Sequence, residues 1–307
     1  MSSNIEISYS TDVSGYQLGP PQSAQGIAPR DHVAATRMVG SLMESAYELA
    51  SELRGMGPTA HELHRERHGA PLRERLAGVL QAIHDLQSDL AALRGTVLVR
   101  QLNALGVNEH SSNLKVHVGC GGQELPGWIN VDNYPAPLAI NLNWGLPLPD
   151  RSASYVFLSH LLEHLFYPVQ SGQLLAEIRR VLTPGGIVRI VVPDIEQCIK
   201  AYVDKDEEFF AARRRHWTWL PPDMTHLESF LAYAGAGPTP EYLFEHHKFG
   251  YDFETLKRCL DRAGFASVRR CAYQRSPHAP LRVDHASSNA SAKHGEQHYS
   301  LFVEAQA

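Results

Sequence analysis

Apolar residues recur with two different periods along this chain, and the change of period divides it. Val39, Leu42, Ala46, Leu49 and Leu53 fall at helical spacing until Gly55 and Gly57-Pro58 stop the pattern. Leu72, Leu76, Val79, Ile83, Leu86, Leu90, Leu93 and Val97 then hold a heptad seam, as in helices packed at coiled-coil angles. Further on, Leu114, Val116 and Val118 alternate and run into Gly119-x-Gly121-Gly122. Short apolar runs follow at Trp128–Val131, at Ala139-Ile140 and at Tyr155–Leu158, and a nearly continuous one at Ile187–Val192. Between the last two, Ala176–Leu182 is amphipathic and Thr183-Pro-Gly-Gly186 ends it. Leu161, Leu162 and Leu165 predict a helix carrying Glu163 and His164. Strands alternating with helices, with Val/Ile-rich runs, predict an α/β fold with a parallel sheet covered on both faces.

The same pattern sets the expected domains: a disordered tail over 1–29, a helical extension over 30–110, and an α/β domain over 111–307 with a helical insertion at about 196–245. The extension suits a hairpin docked on the domain, a homodimer contact, or a lid. Composition narrows the partners. A formal net charge of −5 without a basic block argues against nucleic acid. Cys120, Cys198, Cys259 and Cys271 show no C-x-x-C spacing, so neither a disulfide framework nor zinc is signalled. No apolar run approaches the ~20 residues of a membrane span, and the first 29 residues lack a basic, then apolar, leader pattern. A cytoplasmic protein is the expectation.

The candidate chemistry centres on the strand Leu114–Val118 and its glycine turn. A turn of this kind lets a ligand approach the backbone, and in parallel α/β sheets ligands bind at the carboxyl ends of strands. Asp132 ends the second short run, where an acid can take both hydroxyls of a ribose. A dinucleotide fingerprint needs a third glycine opening a helix, but Glu124-Leu-Pro126 follows instead. The turn therefore suits adenosine without phosphates, and a dinucleotide-dependent oxidoreductase is disfavoured. His61-Glu-Leu-His64 resembles a zinc-protease motif, yet its second histidine is one position early, and with His68 it reads as a solvated charged face. Asp194, His226, Glu245 and His246 could converge, but no spacing signals a metal.

The order V-H-V-G-C-G-G, N-V-D, L-P-L-P-D-R-S-A-S-Y, S-H-L-L-E-H, R-V-L-T-P-G-G resembles class I S-adenosylmethionine-dependent methyltransferases, in particular a bacterial branch with a short L-P-G-W-I-N-V-D link. The likeness covers about 113–195, then Lys248 to Phe265, and the final strand Tyr299–Glu304. It implies a seven-stranded, mostly parallel Rossmann-like sheet whose last strand is antiparallel. It also implies S-adenosylmethionine as cofactor, held by Gly119, Cys120, Gly121, Gly122 and Asp132, with Asn141 and Leu142 near the adenine and Ser159 and His160 beside the sulfonium. Asn141 departs from the family's usual acid, which predicts weaker adenine discrimination.

Methyl transfer to a hydroxyl needs alignment and removal of a proton, and histidine suits the second task. His160 is the first candidate base; His246 and His247, in the loop before the last helix, are the others, while His164 with Glu163 reads as a capping or packing residue. Aromatics and cations of the insertion (Phe209, Phe210, Trp217, Trp219, Phe230, Tyr233, Arg213–Arg215, His216) suit either an acceptor pocket or the insertion's own core. The expected function is O-methylation of a polar small molecule such as a sugar or natural-product hydroxyl. N-methylation and a non-catalytic cofactor-binding subunit are the alternatives.

Overall fold

The computed structural model describes residues 94–133, 135–216, 223–235, 247–284 and 299–307, with isolated positions 78, 81, 82 and 85. The tail, nearly all of the heptad seam, the His61–His68 cluster, Trp217, Trp219, Glu245 and His246 lie outside these residues. The last turns of the predicted extension are described as helix α1 (94–104), whose Leu98 and Leu102 pack on the domain core.

Seven strands form one sheet: β1 (Leu114–Val118), β2 (Ile129–Asp132), β3 (Leu138–Ala139), β4 (Ala153–Ser159), β5 (Leu182–Pro193), β6 (Ala266–Cys271) and β7 (Ser300–Gln306). Their order is β3-β2-β1-β4-β5-β7-β6. The pairs from β3 to β5 are parallel, and β7 runs antiparallel to both β5 and β6. This is the expected mostly parallel sheet, with the reversed strand where the family resemblance put it. The strand order turns back between β1 and β4, so their carboxyl ends open a crevice that no crossover covers.

Five further helices pack around the sheet: α2 (Val169–Val181), α3 (Ile195–Val203), α4 (Glu207–His216), α5 (His226–Ala234) and α6 (Phe253–Arg262). Alternation decides which side chains meet them. Val116, Val118, Val156, Leu158, Val188 and Ile190 join one core with Leu174, Leu175 and Ile178 of α2 and Leu256 and Leu260 of α6. The intervening Phe157 and Val191 lie in a second core with Trp128, Leu281 and Phe302. His117 belongs to that second face, buried with its ring 5.1 Å from Phe157, a structural histidine as its phase predicts.

Two local expectations are corrected. Glu163 and His164 sit on a single 3-10 turn, Leu162–His164, and the helix begins only at Val169. A residue before proline is steered out of the helical region, so Tyr167-Pro168 separates the two. Thr183-Pro-Gly-Gly186 lies within the bounds of β5, which starts directly at Leu182, because Gly185 and Gly186 exchange backbone hydrogen bonds with Ala307 beyond the end of β7.

Candidate active site

The backbone after β1 folds under β2. Gly119 and Cys120 both donate to the Val131 carbonyl, at 2.8 and 3.2 Å, and Gly121 N–H donates to Asp132 Oδ2 at 2.7 Å. Asn133 N–H donates to the other oxygen, Oδ1, at 2.6 Å. Asp132 is thereby fixed at the tip of β2, half-buried, while its two oxygens keep lone pairs for further donors. Gly119 has φ +74°, and a Cβ there would lie 2.8 Å from the Leu161 side chain. Gly121 and Gly122 have nothing within 4 Å of an added Cβ, so they form the open wall of the crevice. Cys120 is buried, and burial with the nearby Asp132 and Glu124 charges pushes its thiol up to about 11. It stays neutral near pH 7 and serves as wall, not nucleophile.

At the end of β3 the chain turns through a 3-10 segment, Leu142–Trp144, capped by Asn141, whose Oδ1 accepts from Asn143 N–H at 3.0 Å. One oxygen lone pair of Asn141 is spent on this local turn, which its position in the sequence did not reveal. Ser159 closes β4; its Oγ is buried with no hydrogen-bond partner among the described residues. His160 follows at φ +51°, its N–H bonded to the Val191 carbonyl at 2.9 Å.

The His160 ring has a polar neighbour at each nitrogen. Nε2 lies 3.0 Å from Ser300 Oγ on β7, and Nδ1 lies 3.2 Å from Glu163 Oε1. Glu163 is wholly enclosed, and His247 Nε2 approaches the same oxygen at 3.9 Å. Burial would raise the Glu163 carboxyl, but the His160 contact and the neighbouring His247 and His164 rings outweigh it and leave it below its usual value. Burial lowers His247, against the opposing pull of Glu163. Its Nδ1 lies 2.8 Å from the Tyr233 carbonyl oxygen, and its ring meets that of His164 edge-on at 4.8 Å. The turn is pinned to this loop because Lys248 and Phe249 N–H both donate to the Glu163 carbonyl, at 2.6 and 3.3 Å.

Of the three candidate bases, His160 and His247 therefore converge on one carboxylate, and His246 lies outside the described residues. Glu163, read from sequence as a capping or packing residue, is the centre of the cluster. The S-H-L-L-E-H string holds His160, Glu163 and His164 but not the distant loop that completes it. Three of the insertion's aromatics lie in a core of its own, while Trp217 and Trp219 lie outside the described residues. Phe209, Phe210 and Tyr233 form a small core with Ile195, Cys198 and Tyr299. Arg213 is buried across the Tyr233 ring at 3.9 Å, with Nη1 3.3 Å from Cys198 Sγ. His226 stacks on Phe210 and pairs with Glu207, while Asp194 caps α3, and neither joins a metal-like cluster among the described residues.

Residues 138–190 match the family model described as a methyltransferase domain. Comparison with curated proteins yields no match. Among solved structures, an S-adenosylmethionine-dependent methyltransferase from Mesorhizobium loti is 16% identical, covering 67% of this chain and 95% of its own, at TM-score 0.34. One from Archaeoglobus fulgidus is also 16% identical, covering 70% and 94%, at TM-score 0.35. Phosphoethanolamine N-methyltransferase 2 of Haemonchus contortus, in complex with S-adenosyl-L-methionine, is 14% identical, covering 68% and 51%, at TM-score 0.34. At these TM-scores the likenesses carry no inference about mechanism. The matched residues run from β3 into β5, through the part of the sheet that borders the crevice. No helix among the described residues is long and apolar enough to cross a membrane.

Proposed function

We propose that this protein transfers the methyl group of S-adenosylmethionine to a hydroxyl of a polar small molecule. The observation that carries the reading is the placement of His160 at the β1/β4 crevice, with a buried carboxylate behind one ring nitrogen. The crevice fits the cofactor in three respects: open space over Gly121 and Gly122, an acid with spare lone pairs at Asp132, and an orphaned buried hydroxyl at Ser159. Gly119, Cys120, Gly121 and Gly122 would line the methionine and ribose, Asp132 would accept from the ribose hydroxyls, Asn141 and Leu142 would flank the adenine, and Ser159 and His160 would face the sulfonium. When bound, the cofactor supplies an already activated methyl group.

The chain's own task is then to align the acceptor and take its proton. Glu163 Oε1 stands 3.2 Å behind Nδ1 of the His160 ring, the side from which a carboxylate assists a catalytic histidine. Ser300 occupies Nε2, where an acceptor hydroxyl would exchange with it. That occupancy also favours a second reading, N-methylation, since a neutral amine needs little help from a base. An acceptor screen followed by a pH–rate profile separates them. For O-methylation, His160→Ala loses most turnover together with the acid limb of the profile, where a base becomes protonated. Full turnover in that variant would remove His160 as base. The heptad seam completes the reading as a homodimer contact. Sedimentation of the full chain against one starting at Asn113 tests it, and equal association states would reject it.

A further inference from the structure

We propose that Glu163, His164 and His247, brought together by the 3-10 turn after β4 and the loop before α6, form a binding site for one divalent transition-metal ion. Their ligand atoms all lie within 4.8 Å of one another. One carboxylate and two imidazoles make a donor set for Zn²⁺, Co²⁺ or a similar borderline ion, with a fourth position left for water or substrate. The site does not depend on the methyl-transfer reading.

Two observations point to a ligand in addition to the clustering. Glu163 is fully enclosed, and neither of its oxygens makes a well-directed hydrogen bond. Its nearest polar neighbours are His160 Nδ1 at 3.2 Å and His247 Nε2 at 3.9 Å. Enclosing a carboxylate is costly unless it is paired or coordinates a metal. His247 supplies the second observation. Its Nδ1 faces the Tyr233 carbonyl oxygen at 2.8 Å, an acceptor only, so Nδ1 carries a ring proton and Nε2 is the nitrogen turned to Glu163. Metal-ligating histidines are held in this way, with the distal N–H spent on a backbone carbonyl. With Nδ1 so occupied, Nε2 is the nitrogen open to an ion shared with the Glu163 carboxylate.

The scaffold holds the donors ready. Lys248 and Phe249 N–H bond the Glu163 carbonyl, tying the His247 loop to the turn that carries the other two ligands. Metal–ligand bonds of about 2.0–2.2 Å place tetrahedral donors roughly 3.3–3.6 Å apart, so the cluster closes by about 1 Å through rotation of the two histidine side chains. An ion there would lie beside His160, where it can polarise a bound oxygen.

The test titrates the full-length, chelator-stripped protein with Co²⁺ and follows the visible ligand-field bands. The expected result is one equivalent with the intense bands of a low-coordinate site. Glu163→Gln and His247→Ala weaken the affinity by at least about tenfold, with unchanged circular dichroism, while His61→Ala and His64→Ala leave it as it was. Should Glu163→Gln fail to fold, His164→Ala and His247→Ala, at half-buried positions, carry the comparison. Absence of the bands, or variants that bind like the parent, would overturn the site. A parallel S-adenosylmethionine titration reads the cofactor crevice separately, so either proposal can fail alone.

Discussion

Gly119 meets two constraints at once, a left-handed backbone and a Leu161 side chain 2.8 Å from any added Cβ. Gly121 has φ +52° but open space beyond it. The positive φ alone costs an alanine roughly 1–2 kcal/mol. Gly119→Ala should therefore lower unfolding stability by at least about 2 kcal/mol, because the clash adds to the strain. Gly121→Ala should stay near 1 kcal/mol; urea midpoints for the two variants check the order. At Asp132 the expected effect is on affinity. Two charge-assisted hydrogen bonds to a ribose contribute about 1.5–3 kcal/mol each, so Asp132→Ala should weaken S-adenosylmethionine binding by more than about tenfold in calorimetry. Unchanged affinity would refute the ribose assignment. Both positions stand out in the sequence, as a glycine turn and an acid at the ends of two short apolar runs. Glu163 does not, because its importance comes from His247 on a loop far along the chain.

Among the elements, the link from β4 to α2 carries His160, Glu163 and His164. It leaves β4 through His160 at positive φ, makes one 3-10 turn, and enters the helix only after Pro168. Leucine spacing suggested a continuous helix here, and proline placement overrode it. Helix α6 shows the opposite case, in which local signals and structure agree. Asp252 caps it by accepting from Thr255 N–H at 2.8 Å, and Leu256 and Leu260 turn its apolar face into the core. Asp252→Ala should cost about 1 kcal/mol in urea unfolding. A cost near zero would mean that packing, not the cap, sets where the helix begins.

For the whole molecule, an ion network locks the antiparallel end of the sheet. Arg189 of β5 is fully buried and binds Asp284 through Nε and Nη2 at 2.7 and 2.6 Å, and Glu304 of β7 through Nη1 at 2.9 Å. Arg269 of β6 reaches the other Glu304 oxygen at 2.8 Å. Arg189→Met would leave two buried carboxylates short of their partner and should cost about 3–5 kcal/mol. Burial alone would raise the Glu304 carboxyl, but hydrogen bonds from Ser276 and Arg269 and the Arg189 charge hold it below 4.5. A depressed folded-state value means that this stabilisation is present above about pH 4.5 and is lost as pH falls through the folded value. Urea unfolding across that range should show the loss in the parent and a shallower slope in Glu304→Gln. Equal slopes would place the acid sensitivity elsewhere.

What the sequence determined by itself is local in origin. Alternating and continuous apolar runs set the strands, glycines and an acid at strand ends mark the crevice proposed for the cofactor, and the order of motifs predicted the seven-stranded sheet. Each of these signals lies within a few neighbouring residues, where periodicity and turn chemistry act. Tertiary structure decided what depends on distant segments meeting. Arg189 sits inside an apolar run, and Asp284, Glu304 and the Ala272 carbonyl make its burial tolerable. Phe209, Phe210 and Tyr233 became core because α3, α4 and α5 close on one another. Glu163 became the centre of a histidine cluster because the loop before α6 docks on its carbonyl. Buried charge must find its partners wherever the chain brings them, and no spacing along the sequence records that meeting.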